Sequence, residues 1–128
     1  MQRVGIIGAG KIGGSLLLRL AESGDFDLAV SDIHPEQLEP YKRYGIRTTS
    51  SNRQIAEAND LVIVAVKPWD VAQVLAEISP AIEGADKAVA SVAAAFHAGS
   101  RMETRASRTL FGGRTVDDFA VEQINGAL

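Results

Sequence analysis

Arg3-Val4-Gly5-Ile6-Ile7-Gly8-Ala9-Gly10-Lys11-Ile12-Gly13 decides how the rest of this chain is read. The apolar run Val4 to Ile7 predicts a buried strand, and the residues after the glycines recur at helical spacing. Gly8, Gly10 and Gly13 fall at G-x-G-x-x-G spacing across that junction, and each answers a separate need. Gly8 permits the tight turn out of the strand. Gly10, without a Cβ, lets a pyrophosphate approach the backbone. Gly13 lets the helix pack closely on the strand. The helix start offers unpaired N–H groups and the positive end of its dipole to phosphate. A structural turn without a ligand is the competing reading. The strand before, the helix after and an acid at a fitting offset favour a dinucleotide.

That acid is Asp32, which closes a second short strand containing Leu28, Ala29 and Val30. A carboxylate there can accept hydrogen bonds from the adenosine ribose, or it can form an Asx turn before His34-Pro35. It would also repel a 2′-phosphate, and no arginine follows it, which tilts the choice from NADP toward NAD. Lys11 and His34 are the groups that could still reach such a phosphate.

Outward from this point strands and helices alternate. Ile12, Leu16, Leu17 and Leu20 predict a helical core face ended by Gly24. Pro35 opens a second helix, with Leu38 and Tyr41 on its buried side and Pro40 kinking or shortening it. Ile46 to Thr49 reads as a strand, and Ser51 to Gln54 has capping-box spacing for a helix to about Ala58. Asp60 to Val66 is the strongest strand, apolar without alternation and therefore buried on both faces. Lys67-Pro68 ends it and begins a helix with Val71, Val74, Leu75 and Ile78 on one side, closed by Pro80 and Gly84. Ala88 to Ala94 is a fifth strand.

This rhythm predicts an α/β fold, a Rossmann-like, doubly wound parallel sheet over residues 1–96. Its ligand would lie outside the carboxyl ends of the strands. The glycine loop, Asp32, Lys67-Pro68 and Ala94 would converge there. Lys67 reads either as a proton donor or as a solvated residue, and Trp69 either covers apolar surface or edges the pocket.

Residues 97–128 break the rhythm and read as a short, largely helical C-terminal tail, packed on the same domain or on a partner. Arg101, Arg105 and Arg108 would form a solvated or ion-paired stripe. Thr109 to Phe111 reads as a short edge strand before a Gly112-Gly113 turn. Thr115 is a candidate N-cap for a last amphipathic helix with Val116, Phe119, Ala120 and Ile124.

Composition narrows the classes. With 128 residues, 46% hydrophobic and 23% charged, the chain has the make-up of a soluble globular domain, and cytoplasmic localisation is expected. A net charge of −3 argues for neither nucleic acid nor an anionic membrane. The absence of cysteine excludes disulfides and thiolate metal sites, and His34 and His97 show no ligand pattern, so no metal is expected. Glycines and Lys11 interrupt the N-terminal apolar run, so no signal peptide is expected. The uncharged stretch Ala88 to Phe96 is too short to span a bilayer.

Val4 to Gly13 followed by Val64-Ala65-Val66-Lys67-Pro68 resembles the N-terminal domain of pyrroline-5-carboxylate reductases. Ser91-Val92-Ala93-Ala94 is similar to that family's S-x-A-A-G stretch, with Ala95 in place of the glycine. The resemblance covers about residues 3–96. It implies hydride transfer from a nicotinamide to the C=N carbon of a cyclic imine, as in proline biosynthesis. It also implies roles: Gly8, Ala9, Gly10, Lys11, Ile12 and Gly13 hold the pyrophosphate, Asn52 meets the adenosine side, and Ala65, Val66, Lys67 and Pro68 line the nicotinamide ribose. Ile33 stands where many relatives carry an arginine that favours NADPH. From His97 onward nothing matches the family's helical C-terminal domain, which makes the dimer and supplies the substrate site. The expectation is a homodimeric reductase or, alternatively, a dinucleotide-binding module without catalysis of its own. Ile12-Gly13-Gly14-Ser15-Leu16 is also similar to the I-G-G-S-L of prephenate dehydrogenases, but Lys67-Pro68 departs from that family's turn.

Overall fold

In a computed structural model of the chain, β1 (Gln2–Ile7) runs through the middle of a parallel sheet. The structure describes residues 2–92 and, beyond them, two short strands at 109–110 and 114–115. Residues 4–7 pair with 28–31 of β2 (Phe26–Ser31) on one side and with 61–64 of β4 (Leu61–Val64) on the other. β3 (Arg47–Thr49) and β5 (Ala88–Ser91) complete the order β3-β2-β1-β4-β5. The chain winds outward from β1 to β3, then returns to β1's other side. Loops leaving β1 and β4 therefore diverge and open a crevice at the strands' carboxyl ends.

Side-chain alternation along the strands sorts the core into two layers. Val4, Ile6, Leu28, Val30, Leu61 and Ile63 face α1 (Lys11–Ser23) and α2 (Pro35–Lys42), where Leu16, Leu17, Leu20 and Leu38 meet them. Ile7, Ala29, Val62 and Val64 face α3 (Asn52–Ala58) and α4 (Val71–Ile82), packing on Ile55, Val74 and Ile78. All four residues of β4 have no exposed surface, and each such burial stabilises by roughly 1.5–3 kcal/mol. The α/β doubly wound parallel sheet expected from the alternation is the fold observed.

Several boundaries differ from expectation. β4 is shorter than residues 60–66, although Ala65 N–H still donates to the Ile7 carbonyl at 2.8 Å. Between Lys67 and α4 lies a single 3-10 turn, Pro68–Asp70. It turns Trp69 outward, 77% exposed, so Trp69 covers little apolar surface and does not border the crevice. Pro80 lies inside α4, two residues before its end, where a missing N–H and a crowded preceding turn disturb little of the helix, and Ala81 and Ile82 continue it. α2 tolerates Pro40 in the same way and stops at Lys42. Ser51 caps α3 by accepting from Gln54 N–H at 3.2 Å. The reciprocal arm of the capping box is relayed through Thr49, whose hydroxyl accepts from Ser51 N–H and donates to Gln54 Oε1. β5 ends at Ser91, before Ala94, which lies outside the described residues.

In the tail, β6 (Thr109–Leu110) pairs antiparallel with β7 (Arg114–Thr115). Thr115 lies opposite Thr109 in this ladder. The Gly112-Gly113 turn, the arginine stripe, His97 and the expected last helix lie outside the described residues.

Candidate functional site

A crevice of about 640 Å³ lies at the carboxyl ends of β1, β2 and β4. That is the size of a small-molecule site. Its floor is the glycine loop. Gly8 adopts φ +104, and a Cβ there would come within 2.6 Å of the Ala65 carbonyl oxygen. A Cβ on Gly13 would collide with the carbonyl oxygen of Gly8. Both glycines are therefore required by the chain's own packing. Gly10 is different. Its φ of −73 suits any residue, and a Cβ would meet nothing within 4 Å.

Asp32 braces this loop. Its Oδ2 accepts from Ala9 N–H at 2.9 Å and its Oδ1 from His34 N–H at 2.8 Å. The second contact is the Asx turn anticipated before His34-Pro35. The first ties the end of β2 to the glycine loop. Each carboxylate oxygen keeps a further lone pair. α1 begins at Lys11 with Gly10 as N-cap, no side-chain cap and no acid in its first turn. Its leading N–H groups are thus left to a ligand or water.

Of the residues singled out in the sequence, Gly8, Gly10, Lys11, Ile12, Asp32, Asn52, Ala65, Val66, Lys67 and Pro68 all border the crevice. Ala9 and Gly13 do not. Ala9 is 2% exposed with its side chain in the α1 layer, and Gly13 is buried beneath Gly8. They shape the loop from below. Asn52, the first residue of α3, has its Oδ1 held by the Ser31 hydroxyl at 2.7 Å, and its Nδ2 donates to Glu77 Oε2 at 3.5 Å.

Ser31, Gln37, Asp70, Gln73, Val74, Glu77 and Val92 also line the crevice and were not anticipated. Ser31 carried a signal, as a polar residue ending an apolar strand directly before Asp32. Asp70, Gln73 and Glu77 recur at i, i+3, i+7, one face of a helix. That pattern reads by default as a solvated stripe, and only the position of α4 turns it toward the crevice.

The fold and loop define a Rossmann-like dinucleotide-binding domain. Residues 3–95 match the family model described as NADP oxidoreductase, coenzyme F420-dependent, and the chain belongs to this family. Within it the chain is related to pyrroline-5-carboxylate reductases over their N-terminal NAD(P)-binding domain. It is 33% identical over 97 residues to the enzyme of that name from Methanosarcina acetivorans, covering 73% of this chain and 36% of that protein. The Mycobacterium tuberculosis enzyme is 36% identical over 89 residues, covering 67% of this chain and 30% of that protein. A solved pyrroline-5-carboxylate reductase from Coxiella burnetii superposes with a TM-score of 0.65 at 26% identity, covering 69% of this chain and 34% of that one. The chain therefore spans about a third of the length of the relatives it matches.

Proposed function

We propose that this chain holds the dinucleotide of a nicotinamide-dependent reductase acting on cyclic imines. Gly10 carries the reading. Neither backbone conformation nor packing asks for glycine there, so its missing side chain is accounted for by a group approaching from the crevice. Gly8, Gly10, Lys11 and Ile12 receive the pyrophosphate at the open start of α1, over a loop held in shape by Ala9 and Gly13. Asp32 accepts from the ribose hydroxyls, and with Ile33 in place of an arginine it favours NAD over NADP. Ala65, Val66, Lys67 and Pro68 line the nicotinamide ribose. When bound, the cofactor supplies a hydride. The chain's own residues fix the dinucleotide in one orientation and keep water from one of its sides. The imine meets the face of the nicotinamide that these residues leave uncovered. A second reading, a binding module that holds the dinucleotide without turnover, is supported by a likeness that lies in the relatives' N-terminal NAD(P)-binding domain.

Titration with NADH and NADPH, followed by pyrroline-5-carboxylate in the same sample, tests both. Saturable binding of NADH, tighter than NADPH, with oxidation on adding the imine is the expected result. Binding without oxidation at any protein concentration selects the module. Absence of binding by either dinucleotide overturns both readings.

A further inference from the structure

The α3–α4 side of the crevice carries polar groups that phosphate and ribose leave unused. Asn52 and Glu77 come together there from different helices, with Nδ2 of one 3.5 Å from Oε2 of the other. The orientation of the Asn52 amide is set from behind. Its Oδ1 accepts from the Ser31 hydroxyl at 2.7 Å, and Ser31 is fully buried at the end of β2. Turning the amide over would set its oxygen against the Glu77 carboxylate, so the arrangement is held in one sense. The crevice is thus offered an N–H donor and a carboxylate acceptor side by side. Val74, 6% exposed, and Val66 add apolar surface to the same crevice.

This pattern is complementary to one edge of a purine. Adenine carries an amino donor at position 6 beside a ring-nitrogen acceptor. A purine with a 6-oxo group presents an oxygen at that position, and a carboxylate repels it. Ser31 directly precedes Asp32, so the base attached to a ribose held by Asp32 falls within reach of this wall.

We propose that the Asn52–Glu77 pair reads the base of the dinucleotide, with Glu77 accepting from the 6-amino group of adenine and Asn52 donating to N7 on the same edge. Glu77 thereby selects adenine over hypoxanthine dinucleotides. N7 accepts from Asn52 in either base, so position 6 makes the difference at this wall. The inference rests on the dinucleotide reading given above, and its test separates the two.

The experiment compares NADH with reduced nicotinamide hypoxanthine dinucleotide, which differs at position 6 and in the hydrogen on N1 and keeps the N7 acceptor, by fluorescence titration of the full chain and of Glu77→Gln. The unaltered chain should bind NADH about tenfold or more tightly than the hypoxanthine analogue, the discrimination expected of one charge-assisted hydrogen bond. In Glu77→Gln the carboxamide can turn to donate to a 6-oxo group, and the preference should fall to within about twofold or invert. Glu77 is exposed, so the substitution leaves the core intact, and an unchanged unfolding midpoint verifies this. Equal affinity for the two dinucleotides in the unaltered chain, or an undiminished preference in Glu77→Gln, overturns this proposal and leaves dinucleotide binding standing. Absence of binding by either dinucleotide overturns the dinucleotide reading, and this proposal with it.

Discussion

The two ends of the sheet are built from similar residues to opposite effect. At the amino ends of the strands, charges are spent on the protein itself. Arg3 pairs with Asp60 at 3.1 Å and Arg47 with Asp27 at 3.1 Å. Lys87 Nζ donates to the carbonyls of Ala56 and Glu57, closing the end of α3. At the carboxyl ends, Lys11 and Lys67 border the crevice and form no ion pair among the described residues. Among the described residues the Asp32 carboxylate is engaged by backbone N–H groups alone. One end spends its charged side chains on the fold, and the other is left with capacity facing outward. A binding site is recognisable here as the place where hydrogen-bonding and space are not used up by the fold.

This contrast can be broken. Gly13→Ala should have the largest effect, because a Cβ there meets backbone that cannot move aside. We expect a loss of about 3 kcal/mol in denaturant unfolding, with dinucleotide binding lost as well. Gly10→Val should uncouple the two. Its side chain enters open space, so the thermal midpoint should shift by less than about 5 °C while NADH titration becomes flat. Retained binding would show that the ligand does not approach at Gly10. Asp32→Ala removes the brace between β2 and the loop. It should cost about 2 kcal/mol of stability, together with a measurable loss of NADH affinity.

The smallest effect belongs to the opposite end. The hydrogen bond from Arg3 holds the Asp60 carboxyl below its usual range. Its contribution is therefore present above the unfolded carboxylate value of about 4 and is lost as pH falls through the lower folded value. The pair is half exposed, so the contribution is small. Asp60→Asn should flatten the acid limb of a pH–stability profile slightly and leave dinucleotide titration unchanged. A change in binding there would blur the distinction between the two ends.

Much of the crevice was readable from local chemistry. The spacing of Gly8, Gly10 and Gly13, the offset of Asp32 and the Lys67-Pro68 turn each sit at the carboxyl end of a strand, where chain order alone predicts a ligand. Ala9 and Gly13 show the limit of that reading. They belong to the motif, yet they act through the loop's shape and do not border the crevice. Trp69 shows another limit, since a large apolar residue next to a site suggests a wall, and the 3-10 turn directs it to solvent.

By itself the sequence determined the parallel α/β fold, the position of the glycine loop and the acid that faces it. These follow from periodicity and from backbone needs that act over a few residues. The tertiary structure alone decided that Asp70, Gln73 and Glu77 belong to the crevice, and that Ser31 orients Asn52 toward Glu77. Those contacts join β2, α3 and α4, elements far apart in the chain. A polar helix stripe looks the same in sequence whether it faces water or a ligand, and the packing of α4 against α3 and the sheet sets which it is.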